Sequence, residues 1–309
     1  MKFGLFAISL LLVILYSCTG SAVMQQDTTS AYPAFDLQGH RGARGLMPEN
    51  TIQGFIHALG QRITTIEADL MITADQQVVI SHDPILNTAI SSYSDGRVLQ
   101  ENDSTERTIY RLSYEQLRNF DVGRRQHPQF PRQQTMPATI PLLEAAIDSI
   151  EQHAGASGMP VRYNLEIKSK PSGDGKQHPD PETFAGLVVA VLEKKGISAR
   201  TSIQSFDPRP LRYLNEQHPD LMLSFLVEGT IRPVDQLLDT LGFIPDIISP
   251  HYSFITTDFV QNNHAKNIRV IPWTVNDLKE MQRLTDMGVD GLISDYPDLY
   301  SSINFQKSP

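Results

Sequence analysis

The stretch Leu37-Gln38-Gly39-His40-Arg41-Gly42-Ala43, continued by Pro48-Glu49-Asn50-Thr51, has the form of a strand that ends in polar side chains and gives way to a helix. The apolar lead-in stops where the glycines flanking His40-Arg41 let the backbone turn tightly, which leaves both side chains at the strand end. Pro48 predicts the first turn of a helix, since proline is tolerated there and Ile52, Phe55, Ile56 and Leu59 follow at helical spacing. An imidazole, a guanidinium and the carboxylate of Glu49 therefore meet at one strand-to-helix junction. Taken alone, the stretch also fits a surface turn that happens to carry His and Arg.

Outward along the chain, Thr64 to Ile72 alternates with period two. Thr65, Glu67, Asp69 and Met71 fall on one face; Ile66, Ala68, Leu70 and Ile72 fall on the other. Adjacent carboxylates repel, so Glu67 and Asp69 need solvent, hydrogen-bond donors or a cation between them, and a solvent-facing edge strand would also meet that need. Gln77 to Ser81 is a further short strand, ending in His82-Asp83-Pro84 and placing a second His at a strand terminus. In Arg162 to Lys168, Asn164, Glu166 and Lys168 share one face, opposite Tyr163, Leu165 and Ile167.

Beyond this strand the chain alternates between strands Ser202–Phe206, Met222–Val227, Asp246–Ser249, Arg269–Val275 and Gly291–Ser294 and helices over 211–217, 234–241, 257–266 and 277–287. Such alternation implies right-handed crossovers and a parallel sheet. Strands beginning near Leu37, Ile66, Tyr163, Ser202, Met222, Asp246, Arg269 and Gly291 are enough to close a (β/α)8 TIM barrel. A doubly wound open sheet is the other α/β solution. It is disfavoured because no glycine-rich dinucleotide fingerprint follows the first strand and because polar residues cluster at strand ends. Residues 35–309 are assigned to the barrel, with a small insertion after its second strand at about 87–139. There periodicity fades, and one short helix is predicted over 113–119, with Ser113 and Gln116 as a capping box. A second helix is predicted from Ile140 onward.

The chain has 309 residues, 40% of them hydrophobic and 20% charged, the composition of a globular protein with a sizeable core. Its net charge of −9 argues against nucleic acid as a partner. Lys2 followed by the apolar run Phe3–Tyr16 is too short to span a bilayer and fits a signal-peptide core. Leu15-Tyr16-Ser17-Cys18 resembles a bacterial lipobox, and a lipid-bearing residue would account for Cys18, the chain's one cysteine, which has no internal partner for a disulfide. Residues 1–17 are therefore read as a lipoprotein-type signal peptide and 18–34 as a tether. The expected location is exported and membrane-anchored through Cys18, periplasmic or at the cell surface. Ordinary secretion after cleavage near Gly20-Ser21-Ala22 is the alternative, because Tyr16 is large for a lipobox.

Gly39-His40-Arg41-Gly42, Pro48-Glu49-Asn50-Thr51, Glu67-Ala68-Asp69, Ser81-His82-Asp83, Asp121-Val122-Gly123, Ile140-Pro141, Leu165-Glu166-Ile167-Lys168, Pro272-Trp273-Thr274-Val275-Asn276 and Asp295-Tyr296-Pro297 occur in this order. Together they resemble the glycerophosphodiester phosphodiesterase family of metal-dependent barrel enzymes, from Gly39 to about Pro297. On the residues themselves, Glu67, Asp69 and Glu166 offer hard oxygen ligands suited to one divalent cation, Ca²⁺ or Mg²⁺. An ion pair within one strand is the plainer reading of Glu166 and Lys168. Arg41 and Lys168 supply positive charge for a phosphate, His40 and His82 can divide the giving and taking of a proton, and the Trp273 ring could pack on the substrate's alcohol. Of the remaining histidines only His251, after a late strand, is kept as a site candidate.

Adjacent strand residues point to opposite faces, so Ser81 cannot readily pair with His82 as a nucleophile. The resemblance implies that the glycerol hydroxyl beside the phosphate attacks instead. The expected activity is metal-dependent hydrolysis of a small-molecule glycerophosphodiester to an alcohol and glycerol 3-phosphate. The same barrel could serve a surface lipoprotein that holds a phosphate-bearing ligand without cleaving it.

Overall fold

The computed structural model describes Met1 and residues 32–100, 107–158, 161–229 and 232–305. Apart from Met1, the expected signal peptide lies outside these residues, as do Cys18 and all of the expected tether before residue 32. Among the described residues, no helix is long and apolar enough to cross a membrane.

In chain order the elements are β1 (Asp36–Gly39), α1 (Ile52–Leu59), β2 (Thr65–Ile72), β3 (Val78–Ile80), β4 (Ser92–Tyr93), α2 (Tyr114–Leu117), β5 (Phe120–Asp121), α3 (Leu143–Ser157), β6 (Arg162–Ile167) and α4 (Pro181–Lys195). They continue with β7 (Thr201–Ser205), α5 (Pro208–Gln217), β8 (Met222–Val227), α6 (Val234–Leu241), β9 (Ile247–Pro250), α7 (Thr257–His264), β10 (Arg269–Val270), α8 (Leu278–Asp286) and β11 (Gly291–Ser294). Parallel pairing runs in the order β10-β9-β8-β7-β6-β2-β1-β11. Backbone bonds from Asp290 N to Val270 O (2.9 Å) and from Ile293 N to Pro272 O (3.0 Å) join the two ends, so the eight strands close into the (β/α)8 barrel. Strand β3 adds antiparallel to β2 outside this circle.

The period-two pattern of β2 is realised in packing. Ile66, Ala68, Leu70 and Ile72 point outward into the core shared with the helices, beside Phe55, Leu165, Ile167, Phe184 and Leu192. Each of the Ile, Leu and Phe side chains removed from water contributes about 1.5–3 kcal/mol. The inward face is hydrogen-bonded rather than aliphatic. Asp36 at the base accepts from Thr65 Oγ1 (2.6 Å) and Gln38 Nε2 (2.7 Å); Asn164 Nδ2 donates to Gln38 Oε1 (2.8 Å) and Gln204 Oε1 (2.9 Å). Gln204 Nε2 in turn donates to Glu67 Oε1 (2.8 Å), so a chain of satisfied polar groups runs from the barrel floor to the site.

Several details differ from the sequence reading: β10 is only Arg269–Val270 where a strand to Val275 is expected, α3 begins at Leu143 and not at Ile140, and two helices differ more substantially. Helix α1 begins at Ile52, not at Pro48, because Asn50 takes a left-handed conformation (φ 55°), which no helix accommodates. Thr51 is the N-cap: its hydroxyl accepts from Gly54 N (3.1 Å) and donates to Pro48 O (2.7 Å). Helix α4 is an element that the sequence reading does not predict: Asp180 caps it, Pro181 opens it and Gly196 ends it with φ 65°.

Between β3 and α3 the chain leaves the barrel and builds a small core of its own. Met71, Val79, Leu86, Leu99, Ile109, Leu117, Phe120 and Ile140 pack there, and β4 pairs with β5. Helix α2 carries the predicted capping box of Ser113 and Gln116. Since Met71 continues the inward face of β2, this unit sits on the barrel's C-terminal rim, where the polar strand ends converge.

Candidate active site

The C-terminal ends of β1, β2, β6, β7 and β11 deliver the site. After β1 the chain turns through Gly39 and Gly42, where a Cβ on Gly39 would lie 2.2 Å from Gly42 O; only glycine permits that approach. Arg41 follows with φ 48°, and its amide donates to Glu67 Oε2 (2.7 Å). Its guanidinium donates through Nη1 to Glu49 Oε1 (2.9 Å) and lies 3.1 Å from Asp69 Oδ2 through a buried Nε that is not aimed at it. Asn50 Nδ2 donates to the same Asp69 oxygen (2.8 Å), so the left-handed turn that delays α1 has a role at the site.

Glu67 and Asp69 on β2 and Glu166 on β6 are buried and each offers a carboxylate oxygen within 4.8 Å of the others. A solvent-facing edge strand is thereby excluded for β2, which is paired on both sides. Lys168 Nζ stands 3.0 Å from Glu166 Oε1 and 3.7 Å from Asp69 Oδ1. Burial and the charge of Asp69 push the Glu67 carboxyl well above the ordinary range, and burial pushes Glu166 up to about 7 despite Lys168. Burial opposes ionisation at Asp69 as well, but the charges of Arg41 and Lys168 outweigh it and hold that carboxyl well below its usual value. Three converging carboxylate oxygens are a donor set that fits a hard divalent cation.

His40 and His82 come from different strand ends and line the same cavity of about 180 Å³ with Arg41, Glu67, Glu166, Lys168 and Trp273. His40 Nδ1 meets Asp295 Oδ1 at 2.6 Å, and Asn276 Nδ2 secures the other oxygen of Asp295 at 2.7 Å. Burial lowers the His40 pKa by more than the Asp295 carboxylate raises it. His82 Nδ1 meets Asp83 Oδ1 at 2.7 Å. In both cases the carboxylate orients the ring through Nδ1 and leaves Nε2 free of that contact, facing the cavity. The His82 side chain is 32% exposed against 12% for His40, and His82 also borders a second cavity of about 440 Å³.

Trp273 is fixed by its Nε1 bond to Ser249 O (2.9 Å) and packs edge-on against Phe206 (5.4 Å) and His251 (5.3 Å); Trp273 and Phe206 line both cavities. His251 itself bonds Ser253 and supports the indole. Asp295, Asn276, Asp83 and Gln204 received no role from sequence reasoning. Asp295 and Asn276 carry two signals, their position at strand ends of a barrel and their place in the motifs that carry the family resemblance.

Residues 40–299 match the model of the glycerophosphoryl diester phosphodiesterase family. A glycerophosphodiester phosphodiesterase of Bacillus altitudinis is 28% identical over 84% of this chain and 94% of its own. Among solved structures, a chain from Silicibacter pomeroyi DSS-3 superposes with a TM-score of 0.77 at 27% identity, covering 90% of this chain and 98% of that one. An Oleispira antarctica phosphodiesterase in complex with the product sn-glycerol-3-phosphate superposes with a TM-score of 0.68 at 25% identity, over 86% and 95% of the two chains.

Proposed function

Because the chain belongs to the glycerophosphoryl diester phosphodiesterase family, we propose that it hydrolyses a glycerophosphodiester to an alcohol and glycerol 3-phosphate with His40 and His82 as acid and base. The observation that carries this reading is the presence of both imidazoles, each with its own carboxylate, on one cavity with the three clustered carboxylates. A site that only held a ligand would need neither a proton acceptor nor a proton donor. Glu67, Asp69 and Glu166 would hold one divalent cation, Ca²⁺ or Mg²⁺. When bound, it would neutralise charge that builds on the phosphate oxygens during attack.

Arg41 and Lys168 add fixed positive charge beside the phosphate. His40, enclosed and neutral, is the better base, since its Nε2 is free of the Asp295 bond and can take the proton of the glycerol hydroxyl that attacks phosphorus. A hydroxyl already carried by the substrate needs no further ordering, and effective molarities for such attack reach roughly 10⁵ M or more. His82, at the junction with the larger cavity, protonates the leaving alcohol, which departs into that cavity beside Phe206 and Trp273. Water then opens the cyclic phosphate. The test is turnover of diesters with choline, ethanolamine, inositol and glycerol leaving groups, with and without chelator. Turnover that vanishes in chelator and returns with Ca²⁺ or Mg²⁺ is expected, and a diester lacking the adjacent hydroxyl should turn over very poorly. Full activity in chelator would remove the cation from the mechanism.

On sequence grounds we also propose export and lipid attachment at Cys18, which would hold the domain at a membrane without any further membrane contact. Retention of a Cys18→Ala variant in the membrane fraction would refute it.

A further inference from the structure

Arg44 lines the 180 Å³ cavity with His40, His82 and Lys168, and its side chain is only 17% exposed. Its Nε donates to Glu49 Oε2 at 2.6 Å, whereas its two terminal amino groups have no hydrogen-bond partner among the described residues. A guanidinium is always charged and carries five donors, and these two amino groups keep contact with solvent, so an anion entering the cavity can take the place of water there. The group is also held in place. The Phe130 ring lies 4.6 Å from its Cζ, Gln133 Nε2 donates to Arg44 O (2.8 Å), and Gln134 N donates to Leu46 O (2.7 Å). His127 backs the same carboxylate, with Nε2 3.8 Å from Glu49 Oε2, and packs on Phe130.

We propose that Arg44 is a substrate-binding residue whose terminal amino groups receive the non-bridging oxygens of the phosphate, and that the insertion segment 126–134 serves to position it. This deepens, and rests on, the proposed phosphodiester hydrolysis. Arg41 approaches the cavity already bound to Glu49 through Nη1 and packed against Asp69, whereas Arg44 presents its whole terminal fork. A planar fork matches two phosphate oxygens at once, which a lysine cannot do.

The experiment compares the protein with Arg44→Gln, Arg44→Lys, Arg44→Ala and Phe130→Ala, measuring steady-state kinetics on a glycerophosphodiester and competitive inhibition by inorganic phosphate. Losing charge-assisted hydrogen bonds should raise KM and the phosphate inhibition constant of Arg44→Gln by about ten- to a hundredfold, with a smaller change in kcat. Arg44→Lys should recover only part of this, and millimolar guanidinium should restore KM in Arg44→Ala, which a purely structural role would not allow. Phe130→Ala, which keeps the charge but frees the side chain, should raise KM less and show no guanidinium rescue. Unchanged KM and phosphate inhibition in Arg44→Gln, or in Arg44→Lys should the former not fold, would overturn the proposal while leaving the hydrolytic reading intact. If the wild type turns over no glycerophosphodiester, the hydrolytic reading fails separately. Phosphate binding by calorimetry then decides Arg44: binding lost with the fork supports the site, and binding unchanged removes it.

Discussion

His40 Nδ1 and Asp295 Oδ1 lie 2.6 Å apart, so one charge-assisted hydrogen bond ties the end of the first barrel strand to the end of the last. Asp295 is itself fixed, since Asn276 donates to its Oδ2 and accepts from its amide. The pair sets both the ring orientation and the tautomer that leaves Nε2 able to accept a proton.

Asp295→Asn should therefore keep the fold and lose turnover. An amide can present its own N–H to Nδ1 and drive the proton onto Nε2, where it blocks the base. A fall in kcat of roughly 10²-fold or more with little change in KM is expected, in line with the usual weight of a positioned base. Unchanged kcat would mean that His40 does not take the proton.

Cation binding should also be visible without turnover. Three buried carboxylates within 4.8 Å of one another strain the folded state until a cation joins them, so Ca²⁺ or Mg²⁺ should raise Tm. At 100 times Kd the gain is about 2.7 kcal/mol, which amounts to a shift of several degrees. Asp69→Asn should abolish the shift. An equal shift in that variant would place the cation elsewhere.

The barrel is legible because its inner and outer faces differ in polarity, so period-two alternation puts Glu67 and Asp69 on one face of β2 and Glu166 on one face of β6. What could not be read was long-range pairing. Asp295 is 255 residues from His40, and Gln204 is 137 from Glu67; no local pattern reports such a partner. Pro48 misled because the left-handed Asn50 delays the helix, a choice set by the Asp69 contact rather than by propensity. Strands β4 and β5 have two residues each, too few to show a period. Arg44 was missed for a related reason: its environment is built by Phe130 and Gln133, nearly ninety residues away in a stretch without periodicity.

Acid stability should depend on Asp207, which caps α5 through Arg209 N (3.1 Å), binds the Arg209 guanidinium (2.6 Å) and accepts from Ser169 Oγ (3.0 Å). Burial raises its pKa, but these donors and the Arg209 charge outweigh it and leave the folded value below the ordinary one. A depressed folded pKa contributes stability above the unfolded value of about 3.9, and that stability is lost as pH falls through the folded value. At neutral pH Asp207→Asn should be less stable by about 1–3 kcal/mol. Its Tm should change less than that of the wild type as pH falls below about 4, so that the two curves converge. Parallel Tm curves from pH 7 to 2.5 would refute the assignment.

The two imidazoles differ in setting, and that difference can be read from the leaving group. His82 borders both cavities and is the more exposed; His40 is enclosed and touches only the inner one. If the alcohol departs into the larger cavity, only His82 can meet its oxygen as the P–O bond breaks. An alkoxide such as that of choline needs the proton, whereas a nitrophenolate is stable without it. His82→Ala should therefore lower kcat for the choline diester by roughly 10²–10⁴-fold, the usual range for a positioned acid, and lower it far less for a glycerol nitrophenyl phosphodiester. His40→Ala should slow both substrates alike, because the attacking hydroxyl is the same in each. The comparison of kcat ratios separates the roles. Equal losses for both substrates in His82→Ala, together with a leaving-group-dependent loss in His40→Ala, would exchange the two assignments.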